Sequence, residues 1–178
     1  EGLKEQEDGN KDNYMEMLPL YPVGNKETAA LGGGNFDRAI EKAQKAIRRH
    51  SIKRKPTRRP GRAYSEKYKR WLSRKEFNPF MHNAWMLLGK AQYQKGSFEE
   101  AAATFSYIAR LYQVQPEISS EAMIWQARCY SAMGWFYDAE DVLGRVNSDS
   151  LPASLNVPYT SAMASSLLEG GRFREAIP

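Results

Sequence analysis

The chemistry most visible in this sequence is cationic. In HSIKRKPTRRPGR (50–62), Lys53, Arg54, Lys55, Arg58, Arg59 and Arg62 fall within ten positions, with no acid among them and with Pro56 and Pro60 as spacers. Ammonium and guanidinium groups at this density attract phosphates, anionic head groups or carboxylate-rich protein surfaces, and salt weakens that attraction. The prolines favour an extended, semi-rigid segment. From Arg48 to Lys75 the chain holds 13 of its 26 Lys and Arg but only one of its 21 acids, Glu66, a local balance of +12. The other 13 bases and 20 acids give −7, so the net charge of +5 belongs to one segment and not to the chain as a whole. Beyond the run, Tyr64, Tyr68 and Trp71 could stack on bases. With Leu72 they also have helical spacing, so SEKYKRWLSRKEF reads as a helix with Ser65 as N-cap and an apolar packing face.

Other reactive residue types are sparse. His50 and His82 stand apart from any Cys or carboxylate cluster at metal-ligand spacing. The single cysteine, Cys129, excludes an internal disulfide and a cysteine zinc cluster, and it falls in a helical pattern where a small buried thiol is expected. LGGGNF lacks the Lys-Ser/Thr of a phosphate loop and leads to Asp37, and no G-x-S-x-G marks a nucleophile. The chain is therefore read as non-enzymatic, with no catalytic, cofactor-binding or metal-ligating residues and no small-molecule substrate. No run approaches the roughly 20 apolar residues of a membrane span, and no signal peptide is present. The chain opens on Glu1 and stops at GGRFREAIP, which reads as an excerpt from something longer.

Four hexapeptides supply the frame: GNFDRA (34–39), GSFEEA (96–101), GWFYDA (134–139) and GRFREA (171–176), at intervals of 62, 38 and 37 residues. The glycine ends one helix in the left-handed conformation, the Phe opens the next, and the Ala lets the paired helix come close. In GSFEEAAATFSYIARLY, Phe98, Ala101, Ala102, Phe105, Ile108, Ala109 and Tyr112 recur at steps of three and four, an apolar helical face. The last two intervals sit near the roughly 34-residue period of tetratricopeptide helix pairs. The expected architecture is an all-α solenoid of antiparallel helix pairs with a basic, proline-containing insertion.

This frame divides the chain. Residues 1–50 hold a first helix pair with an irregular segment (10–33) inserted between its helices. A basic linker loop (51–64) and an extra helix (65–77) follow. Two complete repeats occupy 79–147, and 148–178 holds a linker and a third repeat cut short after its turn. Pro116, Pro152 and Pro158 are read as stop signals in the linkers. In such a solenoid the stacked first helices line a concave groove that binds other proteins. The repeat register puts Asn83, Met86, Lys90 and Tyr93 on that groove in one unit, and Glu121, Ile124 and Arg128 in the next. Trp85, Leu88, Phe98, Phe105, Tyr130 and Phe136 are assigned to packing.

Several longer stretches are more specific. KDNYMEMLPLYP, NFDRAIEKAQKAIRRHSIKRKPTRRPG, YSEKYKRWLSRKEFNPFMHNAWMLLGKAQYQKG, FSYIARLY and WFYDAEDVL together resemble the PorW/SprE family, tetratricopeptide lipoproteins of Bacteroidetes linked to type IX secretion and gliding motility. The resemblance covers nearly the whole chain, insertions included. It implies a longer protein with a lipid-modified cysteine upstream and more repeats downstream. It also implies a place on the periplasmic side of the outer membrane, with periplasmic components of the secretion machine as partners and membrane association only through the upstream anchor. The family has no catalytic motif to carry over. Two other readings stay open: an anion or nucleic-acid binder acting through 48–75, the less favoured ligand being nucleic acid, and a general peptide-binding adaptor using the groove alone.

Overall fold

The computed structural model describes residues 2–4, 20–26, 29, 34–57 and 65–176. Among them the chain is helical with no strand. Its elements are α1 (Asn35–His50), α2 (Glu66–Leu72), α3 (Met81–Gln94), α4 (Phe98–Leu111), α5 (Pro116–Ala132), α6 (Phe136–Gly144), a 3-10 turn (Ser148–Ser150) and α7 (Ala153–Glu169). α1 packs on α3, α3 on α4, α4 on α5, and α5 on both α6 and α7. Apart from α2, which buries no residue, the helices pack in chain order, which is the packing of a solenoid.

The hexapeptide glycines set the turns. Gly34, Gly96, Gly134 and Gly171 all have φ between 76° and 80°, the left-handed region where a side chain is strained. At three of them the same two backbone bonds close the helix end. Gly96 N–H donates to the Tyr93 carbonyl and Ser97 N–H to Gln92, and Gly134 with Trp135, then Gly171 with Arg172, repeat the pattern. This is the Schellman arrangement, which satisfies carbonyls that the helix leaves open. Inside the first complete pair, Gly89 of α3 admits the Phe105 ring of α4, and a Cβ there would stand 2.7 Å from it.

Two apolar clusters form in succession. The first gathers Tyr93, Ala101, Phe105, Ile108 and Cys129 from α3, α4 and α5. The second gathers Ile124, Ala127, Ala139, Leu143 and Ala162 from α5, α6 and α7. Aromatic rings tie the first together, with Trp125 stacked on Phe105 at 5.8 Å and edge-on to Tyr93 at 5.4 Å.

Two details differ from the sequence reading. The extra helix runs only over Glu66–Leu72, because Ser73 turns its hydroxyl back to the Arg70 carbonyl and the chain then bends toward Glu76. Pro158 is not a linker stop but lies inside α7, which starts at Ala153. The helix continues past it with one backbone donor missing. After Gly171 the chain turns without a second helix over 172–176. At the other end, residues 2–4 are helical and Gly2 lies against the Phe36 ring of α1.

Candidate functional site: a basic insertion and a strapped groove

The first site is built around Glu76. Its carboxylate is 3 % exposed and accepts from the Ser51 hydroxyl, from Ile52 N–H at 2.8 Å and from Asn78 N–H at 2.9 Å. Phe77 N–H donates to the Ile52 carbonyl at 2.9 Å, and the Asn78 amide donates to the His50 carbonyl at 2.8 Å. These bonds hold both ends of the insertion together, so that the basic run leaves and returns through one clasp. Burial pushes the Glu76 pKa up, but the Ser51 hydroxyl and the amides of Asn78, Ile52 and Phe77 outweigh it, and the net shift is downward. The clasp therefore holds a charged carboxylate.

Of the basic residues, Lys53, Arg54 and Lys55 are exposed on the loop leaving the clasp. Arg58, Arg59 and Arg62 lie outside the described residues. Tyr68 and Trp71 of α2 stack on each other at 5.6 Å, and Trp71 meets Phe77 edge-on at 5.5 Å. They thus pack the insertion down next to its clasp. Lys67, Lys69 and Arg70 remain exposed on α2, and Lys69 is paired with Glu66 at 2.8 Å.

The second site is the groove formed by α3, α5 and α7. Lys90 pairs with Glu121 at 2.8 Å across α3 and α5, and its Nζ lies 5.1 Å from the Trp125 ring centre. One end of the groove is a cavity of about 460 Å³ lined by His82, Asn83, Met86, Lys90, Glu121 and Leu155, among others. The Arg128 guanidinium lies 4.9 Å from the Trp125 ring and donates to the Ser161 hydroxyl of α7 at 3.3 Å. Burial lowers the Arg128 pKa, with the Tyr21 and Tyr93 phenols acting against it.

The groove register needs correction at three positions. Tyr93 is 0 % and Ile124 1 % exposed, so both belong to the core, and Met86 forms the cavity floor instead of an open surface. Ile124 faces Val142 and Leu143 of α6, whereas Tyr93 is enclosed by Phe98, Trp125 and the chain's own residues 21–24. Asn83, Lys90, Glu121 and Arg128 do gather along α3 and α5. Sequence reasoning missed Glu76, Trp125 and Tyr21. Trp125 sits three positions before Arg128, a spacing that puts ring and cation on one helical face and was available as a signal.

Among the described residues no group of three His, Cys, Asp or Glu is placed to hold a metal ion. Cys129 is buried, and burial pushes its thiol pKa upward, away from a reactive thiolate. Within the same residues no helix is long and apolar enough to cross a membrane. A family model described as tetratricopeptide repeat matches residues 28–116, half of the 178 residues. Comparison with curated proteins and with solved structures found no match.

Proposed function

The chain belongs to the tetratricopeptide repeat family, and from that premise we propose a non-enzymatic scaffold that docks an acidic protein surface on its basic insertion. Repeat solenoids of this kind are protein-interaction modules. The observation that carries the docking surface is the Glu76 clasp. It closes both ends of the segment 53–75, which holds 11 Lys and Arg against one acid, so Lys53, Arg54 and Lys55 leave the fold from a fixed base. Fixing the ends of the loop lowers the ordering cost that a free tail would meet on binding.

The setting we assign comes from the resemblance to the PorW/SprE family. It is a scaffold on the periplasmic side of the outer membrane that contacts components of the type IX secretion and gliding machinery. Its membrane association comes through a lipid anchor upstream. The test is capture from the envelope of a type IX-secreting bacterium by the chain and by a variant with Lys53, Arg54, Lys55, Arg58, Arg59 and Arg62 changed to Gln. Secretion-machine proteins are expected on the first and not on the second. Equal capture by both removes the insertion as the docking element, and recovery of nucleic acid alone overturns the reading as a whole. A general groove-binding adaptor is the second reading, favoured by the segment already seated in the groove.

A further inference from the structure

Residues 20–26 cross the groove as a strap. They are neither helical up to Asn25 nor paired in a sheet. The Tyr21 ring lies 4.2 Å from the Arg128 guanidinium, which also faces Trp125, so one cation serves two aromatic rings. The Tyr21 hydroxyl is next to the hydroxyls of Ser165 on α7 and Ser131 on α5. Three residues on, Gly24 is pressed against the end of α3, where a Cβ would come within 1.8 Å of the Tyr93 carbonyl oxygen. The backbone then passes the Gly96 turn, where a Cβ would stand 2.9 Å from the Lys26 nitrogen. The strap thus visits the C-terminal ends of α7, α5 and α3 in turn.

Nothing in these contacts requires the occupant to be part of the same chain. They consist of one phenol on a cation, two nearby hydroxyls and a backbone without a side chain at the tight point. The fit is also incomplete. Among the described residues the Arg128 Nε donor and the Tyr93 hydroxyl are buried without a hydrogen-bond partner. Such groups favour any occupant that supplies an acceptor. Arg128 has no carboxylate within ion-pair distance among the described residues, so an aromatic ring is its main partner.

We propose that the Arg128 pocket is a binding site for an extended, tyrosine-bearing segment of a partner protein, and that residues 20–26 hold it closed in cis. A tethered occupant acts at an effective concentration on the order of millimolar. With an intrinsic Kd of about 100 μM for the strap itself, a partner segment is weakened about tenfold until the strap lifts.

The test uses the whole chain and a fluorescent peptide of residues 19–26, PLYPVGNK, followed by anisotropy. Gly24→Ala dislodges the strap without touching the pocket, and Tyr21→Ala removes its anchor. Both are expected to bind the peptide about tenfold more tightly than the unaltered chain. Adding Arg128→Lys, which keeps the charge but loses the planar stack, is expected to cancel the gain. So is replacing the tyrosine of the peptide by Ala. The proposal fails if Gly24→Ala and the unaltered chain bind alike, if the gain survives Arg128→Lys, or if no form binds. Thermal melts of each variant separate loss of the site from loss of the fold.

Discussion

Glu76 is the residue on which the insertion turns. Removing its carboxylate by Glu76→Ala leaves the Ile52 and Asn78 amides without their acceptor, at a cost of about 2 kcal/mol confined to the clasp. Hydrogen exchange at those two amides is expected to accelerate about thirtyfold, while amides inside α4 and α5 stay protected. Acid should mimic the substitution. The folded pKa lies below the unfolded one, so the clasp contributes fully above the ordinary carboxylate range and is lost as pH falls through the folded value. Loss of Ile52 protection that sets in already above the ordinary carboxylate range would contradict this role. Glu76 escaped the sequence reading because a buried carboxylate is defined by the amides that reach it, and these come from positions 24 and 2 residues away.

Among the elements, the glycine turns offer an internal comparison. Gly134 and Gly96 have φ of 78° and 80°, so alanine is strained by the same backbone, about 1 kcal/mol in each case. They differ in space. A Cβ at Gly134 meets nothing within 4 Å, whereas one at Gly96 meets the strap at Lys26. Chemical denaturation is expected to show Gly134→Ala costing about 1 kcal/mol and Gly96→Ala clearly more. Equal costs would mean that the strap does not bear on the turn. These glycines were legible in the sequence because a left-handed helix end is a local requirement, repeated in four hexapeptides. The strap was not. Tyr21 and Gly24 sit in an aperiodic stretch, and their partners on α3, α5 and α7 are fixed only once the solenoid is stacked. The same cover explains Tyr93: periodicity placed it on a helix face, but it could not say that the chain itself would enclose that face. Pro158 shows the converse, since a strong local stop signal lost to the packing of α7 on α5 and α6.

For the whole molecule the two surfaces answer to different physics. Docking on the basic insertion, as proposed, would act through screened charge, with a Debye length of about 10 Å at 0.1 M salt and about 3 Å at 1 M. The groove acts through a ring–cation stack and close backbone packing, which are partly desolvated and less sensitive to salt. Raising salt from 0.05 to 0.5 M is expected to weaken capture of an acidic partner at least tenfold while changing the affinity of Gly24→Ala for the strap peptide by less than threefold. Titrations of both ligands across that range measure the split. A parallel fall of both affinities would mean that the groove too works mainly by charge. The remaining residues, with their balance of −7, keep the insertion the one strongly cationic region of the molecule.

The strap also has a consequence for the order in which the molecule is assembled. Tyr21 and Ser165 stand 144 positions apart (165 minus 21), whereas each helix of the solenoid meets a neighbour close in sequence. Closing so long a loop from an unfolded chain carries an entropy cost of about 4 kcal/mol. That cost falls once α1 is docked on α3, which brings the segment near its seat. The helix pairs therefore form first and the strap settles last. A ribosome releases Tyr21 long before α5 and α7 exist, so the strap must wait unseated until they have folded. Every newly made molecule passes through a stage in which its receptor is built and its own plug has not yet arrived.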